Sequence, residues 1–234
     1  MNCNGDIHVI FDFDKTLIDH ESTIEIIKSA IGDSSKARDQ LEQLTLIAPK
    51  ALAGTASPWE LLSLMKVIPR IQRSHLTHYI EATVNSIDPT LRETLQQLQQ
   101  DGVQLHILSG GYMEWIVPIV RTLGIAPRNV LANRLFWLGS RALCPRPSPL
   151  INPSSGKSKI TRKWRESGRL KGRTLIVGDA TSDYQVYANG WADGFVCADY
   201  YVKQPLSQLV GQVRRATCPS SVYPHIQALL GSLP

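Results

Sequence analysis

Three short apolar runs, far apart in the chain, each end on a polar side chain: "IHVIFD" (7–12), "VQLHILS" (103–109) and "TLIVGD" (174–179). Runs without polar alternation suit strands buried on both faces. Such strands need helices above and below the sheet, and so run parallel with helical crossovers. A fourth run, "DGFVCA" (193–198), fits the same scheme. Ligands of sheets of this kind bind beyond the carboxyl ends of the strands. Asp12, Ser109 and Asp179 are therefore expected to meet at one sheet edge.

The intervening segments read as helices. Ile24, Ile27 and Ile31 recur at helical spacing before Gly32, and Ala37, Leu41 and Leu44 suggest a second helix. "SPWE" (57–60) supplies an N-cap Ser57, Pro58 at the first helical position and Glu60 to close a capping box, followed by the stripe Leu61, Leu64, Met65, Ile68. Residues 17–86 thus form an all-helical insert, and residues 1–16 with 87–234 form a Rossmann-like α/β core in three layers. In that core, Asp88 and Pro89 open a helix striped by Leu91, Leu95 and Leu98. Tyr112 to Leu123 is another helix, in which Pro118 predicts a kink. Residues 130–150 predict a β-hairpin or an irregular excursion.

No apolar run approaches the roughly 20 residues of a membrane span, and no signal-type segment opens the sequence, so a cytoplasmic protein without membrane association is expected. Cys3, Cys144, Cys197 and Cys218 are widely spaced, which argues for free thiols rather than zinc or a disulfide framework. A net charge of +5 suits an anionic substrate but is too small to call for nucleic acid. The basic run from Lys157 to Arg173 has no accompanying aromatic-and-glycine motif and reads as a solvated helix flank.

Asp12 and Asp14 lie one residue apart where a buried strand gives way to a loop, and Asp179 with Asp183 repeats the arrangement. Crowded carboxylates are costly unless a cation sits among them, and oxygen ligands point to Mg²⁺. The alternative is that Asp12 and Asp14 cap the turn and Asp179 caps a helix. "SGKS" (155–158) mimics the end of a nucleotide P-loop, but position 151 is Ile and Pro153 interrupts the loop, so that reading is rejected.

"DFDKT", "LSGGY", a downstream lysine and "GDATSD", in that order, resemble the four motifs of the haloacid dehalogenase-like hydrolases, and most closely the phosphoserine phosphatase-like branch with its helical cap. The resemblance implies a Mg²⁺-dependent phosphomonoesterase acting on a small phosphorylated metabolite. It assigns Asp12 as the nucleophile forming an aspartyl-phosphate and Asp14 as general acid and then base. Asp12, the Asp14 backbone carbonyl and Asp179 would hold the metal, with Asp183 in support. Thr16 would fix the loop and the Asp12 side chain. Ser109, Gly110 and Gly111 would bind phosphate. Lys157, preferred over Lys159 because an apolar Ile160 follows three positions on, would neutralise the phosphate. Glu21 stands where that branch places a glutamate contacting the substrate amine, and is equally readable as a residue favoured by a helix N-terminus.

The branch also pairs the substrate carboxylate with a cap arginine. The corresponding region here carries Leu61 and Leu62, with Arg70 and Arg73 further on, and Ser182 replaces an asparagine. Two other readings stay open: a hydrolase of another bond, such as carbon–halogen, and a non-catalytic phosphate-binding regulatory protein. Nothing in the sequence addresses oligomeric state.

Overall fold

The computed structural model describes residues 6–32, 39, 42–44, 46–47, 50, 55–152 and 154–232. Six parallel strands form one sheet in the order β3-β2-β1-β6-β7-β8. They are β1 (Ile7–Phe11), β2 (Gln104–Tyr112), β3 (Val130–Asn133), β6 (Arg173–Gly178), β7 (Gly194–Ala198) and β8 (Val213–Ala216). The chain runs outward from β1 to β2 and β3, then returns to the other flank of β1 as β6. Strand order therefore reverses between β1 and β6, where open α/β sheets leave a crevice at their carboxyl ends.

Alternation along β1 divides the core. Val9 and Phe11 face one layer with Leu105, Ile107, Leu175 and Val177, and Ile10 faces the other with Leu108 and Ile176. The first layer is covered by α4 (Pro89–Gln100), α5 (Met113–Arg121) and α8 (Val222–Ser232), the second by α6 (Gly156–Glu166) and α7 (Thr181–Ala188). Asp88 caps α4 as expected, accepting from the Thr90 amide at 2.7 Å, and Leu91, Leu95 and Leu98 are fully buried beneath it. Pro118 lies inside α5, which runs on to Arg121 as one helix.

Between β1 and α4 lies the helical insert, with α1 (Ser22–Ile31), α2 (Pro58–Met65) and α3 (Arg73–Ser86). The capping box at α2 is present: the Ser57 amide donates to Glu60 at 2.7 Å, and the Glu60 amide donates to the Ser57 hydroxyl at 3.3 Å. The helix expected around Ala37 and Leu41 falls outside the described residues. The α1 stripe is shifted from its expected place, since Ile26 and Ile27 are buried and Ile31 only half so.

Two expectations change. Ser109 does not end its strand; β2 continues to Tyr112, which pairs with Asn133 of β3 across a register shift. Residues 130–150 divide, with Val130–Asn133 joining the main sheet while β4 (Leu135–Leu138) and β5 (Arg141–Pro145) make an antiparallel hairpin. That hairpin docks on the insert, where the Ala142 amide donates to Ile71 and the Arg73 amide to Ser140, both at 3.0 Å. Cys144, Cys197 and Cys218 are free thiols, and no described helix is long and apolar enough to cross a membrane.

Candidate active site

Asp12 follows β1 directly, and its amide still donates to the Val177 carbonyl of β6 at 2.9 Å. The backbone is thus pinned while the side chain leaves the sheet edge. The next residues wrap tightly, with the amides of Leu17 and Ile18 both donating to the Phe13 carbonyl, at 2.9 and 3.3 Å. Lys15 takes a left-handed φ of 56° in this turn, a conformation that costs a side-chain-bearing residue about 1–2 kcal/mol. The turn brings Asp14 back beneath α1, where it accepts from the Ser22 amide at 2.7 Å. Tyr200 closes the loop from the other side by donating to the Thr16 carbonyl at 2.9 Å.

Asp179 stands at the end of β6 and Asp183 in the first turn of α7. Carboxylate oxygens of Asp12, Asp179 and Asp183 all lie within 4.8 Å of one another. Gly178 makes this possible, because a Cβ there would collide with the Asp183 carboxyl group. Lys157, buried in the first turn of α6, reaches into the cluster, with Nζ 2.9 Å from Asp12 and 2.7 Å from Asp183. Lys159 is exposed on the same helix, so the lysine at the cluster is Lys157.

The electrostatics follow from crowding in a low dielectric. Burial, and then Asp12 and Asp183, push Asp179 up to about 8. Burial likewise lifts Asp14 to about 7 against the pull of its Ser22 hydrogen bond, with the Asp12 charge adding to the rise. Burial works against the charge on Lys157, but Asp12 and Asp183 together outweigh it and hold the ammonium above its ordinary value. A site with this many carboxylates and one ammonium retains an unmet demand for positive charge. The all-oxygen donor set of Asp12, Asp179 and Asp183 fits a hard divalent cation.

Above the cluster opens a cavity of about 400 Å³, within the range of small-molecule sites. Asp12, Asp14, Glu21, Gly110, Gly111, Lys157 and Asp179 line it, together with Ser182. Thr16, Ser109 and Asp183 are buried and are not part of its lining. The Ser109 hydroxyl accepts from the Gly111 amide at 3.0 Å. A Cβ on Gly111 would press on Ile116, Asp14 and that hydroxyl. Gly110 has open space on its Cβ side, so only Gly111 is sterically required. The Thr16 hydroxyl is buried with no hydrogen-bond partner among the described residues, so the expected link to the Asp12 side chain is not formed. Glu21 precedes α1 without capping it and faces the cavity, where burial and then Asp14 and Asp12 raise it to about 7.

Neither Arg70 nor Arg73 lines the cavity; Arg73 stacks on Trp137 at 4.5 Å. Sequence reasoning missed two residues. Ser22 is fully buried, orients Asp14 through its amide, and accepts from the Trp115 indole at 2.9 Å through its hydroxyl. Asn133, at the end of β3, donates to the Gly110 carbonyl at 2.7 Å and lines the cavity, and its buried Oδ1 has no hydrogen-bond partner among the described residues.

Residues 9–187 match the family model of the haloacid dehalogenase-like hydrolases. Among curated relatives, the phosphoserine phosphatase of Bos taurus is 27% identical over 198 residues, covering 83% of this chain and 81% of the relative. The chloroplastic phosphoserine phosphatase of Arabidopsis thaliana is 25% identical over 190 residues, and the match spans 81% of this chain but only 61% of that protein. Among solved structures, a phosphoserine phosphohydrolase-like protein from Francisella tularensis superposes with a TM-score of 0.66 at 25% identity, covering 82% of this chain and 86% of the other. A phospho-aspartyl intermediate analogue of phosphoserine phosphatase shares the fold, with a TM-score of 0.66 at 19% identity over 98% of this chain and 99% of the other.

Proposed function

The chain belongs to the haloacid dehalogenase-like hydrolases, and on that footing we propose that it is a metal-dependent phosphatase hydrolysing a small phosphomonoester through an aspartyl-phosphate on Asp12. The observation that carries this reading is the meeting of Asp12, Asp179, Asp183 and Lys157 at the β1/β6 switch point, with Asp14 beside them under α1.

In the first step the Asp12 carboxylate attacks phosphorus, the bond to the ester oxygen breaks, and Asp14 gives its proton to the departing alkoxide. A carboxyl lifted to about 7 still holds that proton near neutrality. In the second step Asp14, now a carboxylate, takes a proton from water as the water attacks phosphorus, and Asp12 is released. Lys157 offsets the charge shared by Asp12 and the phosphoryl oxygens. The Gly110 backbone N–H holds the phosphoryl group, on a turn that the Gly111 amide braces by donating to the Ser109 hydroxyl. Asp12, Asp179, Asp183 and the Asp14 carbonyl would hold the metal, Mg²⁺ in our reading. When bound, that ion neutralises charge between the attacking carboxylate and the substrate.

Residues 17–86 serve as a cap that shields the reaction from bulk water, supported by the cavity lining that Ile24, Ile27, Met65 and Ile68 supply. Free thiols at Cys144, Cys197 and Cys218 support a reducing, cytoplasmic setting.

The test is phosphate release from a panel of small phosphomonoesters, with Mg²⁺ and with EDTA. Release should require the metal, and Asp12→Asn should abolish it while keeping the thermal transition. An Asp12→Asn protein turning over near the wild-type rate would remove Asp12 as nucleophile, and activity indifferent to EDTA would favour the carbon–halogen alternative.

A further inference from the structure

Resting on the phosphatase reading, we infer that the alcohol part of the substrate is apolar and carries no anion: an alkyl or aryl phosphomonoester rather than a phospho-amino acid. The cavity is divided in character. Its lining joins the charged cluster to a larger apolar part with Ile24, Ile27, Met65, Ile68, Ile71 and Leu135, and Thr23, Asn133, Asn152 and Ser182 are among its uncharged hydroxyl and amide members.

Among the described residues, one cation, Lys157, lines this space, and no arginine does. That cation is already engaged, 2.9 Å from Asp12 and 2.7 Å from Asp183. The other charged residue types of the lining, Asp12, Asp14, Glu21 and Asp179, are all carboxyls. A carboxylate on the substrate would lose its water against isoleucines and find carboxyl groups, with no unpaired cation among the described lining residues, a costly way to bury an ion. An alkyl or aryl group in the same place removes apolar surface from water on both partners.

The apolar lining also continues outward. Met65 and Ile151 both line the cavity and are 40% and 52% exposed, so apolar side chains of the lining also reach solvent. The arginine of the neighbouring hairpin junction, Arg73, is turned away onto Trp137 and the Gly139 carbonyl.

The experiment compares kcat/KM for n-hexyl phosphate, phenyl phosphate and O-phosphoserine in Mg²⁺. In parallel, calorimetry measures wild-type binding of n-hexylphosphonate and of 2-amino-4-phosphonobutyrate, the non-hydrolysable analogue of phosphoserine. The alkyl or aryl ester should exceed phosphoserine by at least about tenfold, as apolar pockets discriminate at this level, and hexylphosphonate should bind more tightly by a similar factor. Met65→Arg should narrow that ratio by raising activity on phosphoserine. Phosphoserine processed as well as or better than hexyl and phenyl phosphate, a tighter aminophosphonobutyrate complex, or an unchanged ratio in folded Met65→Arg each overturn the inference. If no ester releases phosphate while hexylphosphonate still binds preferentially, the reaction assigned above fails and the inference about the cavity stands.

Discussion

The backbone N–H of Ser22 donates to the Asp14 carboxylate at 2.7 Å, and Ser22 is the first residue of α1. The proposed acid/base therefore hangs from the start of the helical insert, where the orphan amides of a helix N-terminus favour a negative charge. The first helical position also tolerates proline, which lacks this N–H, and Glu21 before it already has the extended backbone that proline demands.

Ser22→Pro should thus delete one hydrogen bond to Asp14 without breaking α1. A hydrogen bond to a charged group is worth about 1.5–3 kcal/mol, so the Asp14 pKa should rise by about one to two units. Because Asp14 carries a proton in the proposed first step, the alkaline limb of the kcat/KM profile should move up by that amount. Ser22→Ala, which keeps the amide but removes a hydroxyl that also holds Asp14 down, should move the limb up by less than proline does. A profile unchanged in Ser22→Pro would show that the amide does not set the acid.

Lys157→Gln removes the cation between two buried carboxylates. Breaking a buried pair in this way costs about 3–5 kcal/mol, and losing a charge-stabilising donor costs about 10²–10³ in kcat. Both the thermal midpoint and turnover should fall. Lys159→Gln, on the exposed side of the same helix, should change neither beyond error. Equal effects at the two positions would argue against Lys157 as the neutralising lysine.

Metal and pH should act together on stability. Asp179 sits at about 8 and Asp183 at about 7, both raised foremost by burial. A carboxyl whose folded pKa lies above its unfolded value keeps its proton in the native state where the unfolded chain has lost it. Its favourable contribution is whole at acid pH and is withdrawn as pH rises from about 4 to about 8. The metal-free protein should lose stability across that window. Mg²⁺ should restore it, raising the melting temperature by several degrees at pH 8 and by little at pH 5, as calorimetry would show. An equal shift at both pH values would mean the cation binds elsewhere.

Asn133→Ala frees the Gly110 carbonyl that it now holds at 2.7 Å. One hydrogen bond of about 1 kcal/mol should appear as a several-fold rise in KM for the phosphoester with kcat less affected. A change confined to kcat would mean that Asn133 acts on the reacting atoms instead of on the phosphate loop.

The charged members of the site were legible in the sequence because charge at the end of an apolar strand has few other uses. Asp12, Asp14, Asp179 and Lys157 all line the cavity as read. Ser22 and Asn133 were hidden for a different reason. Ser22 reaches Asp14 in part through a backbone amide, which every residue but proline has, and Asn133 ends a four-residue strand reached across a register shift. Edge strand β8 escaped notice because "VRRA" buries only its alanine fully and carries two arginines, so it lacks the apolar run that marked its neighbours. Thr16 differs in another way: its buried hydroxyl has no hydrogen-bond partner among the described residues, and the contact that braces the loop is its backbone carbonyl, which accepts from Tyr200.

The place of β1 in the order β3-β2-β1-β6-β7-β8 also orders how the molecule would come apart. Fraying that begins at β8 must strip β7 and β6 before it reaches Asp12, and from the opposite side β3 and β2 stand in the way. Hydrogen exchange should accordingly be slowest at the amides of Val9 to Asp12 and fastest at the two outer strands. The proposed nucleophile, Asp12, would then ride on the part of the protein that is last to open.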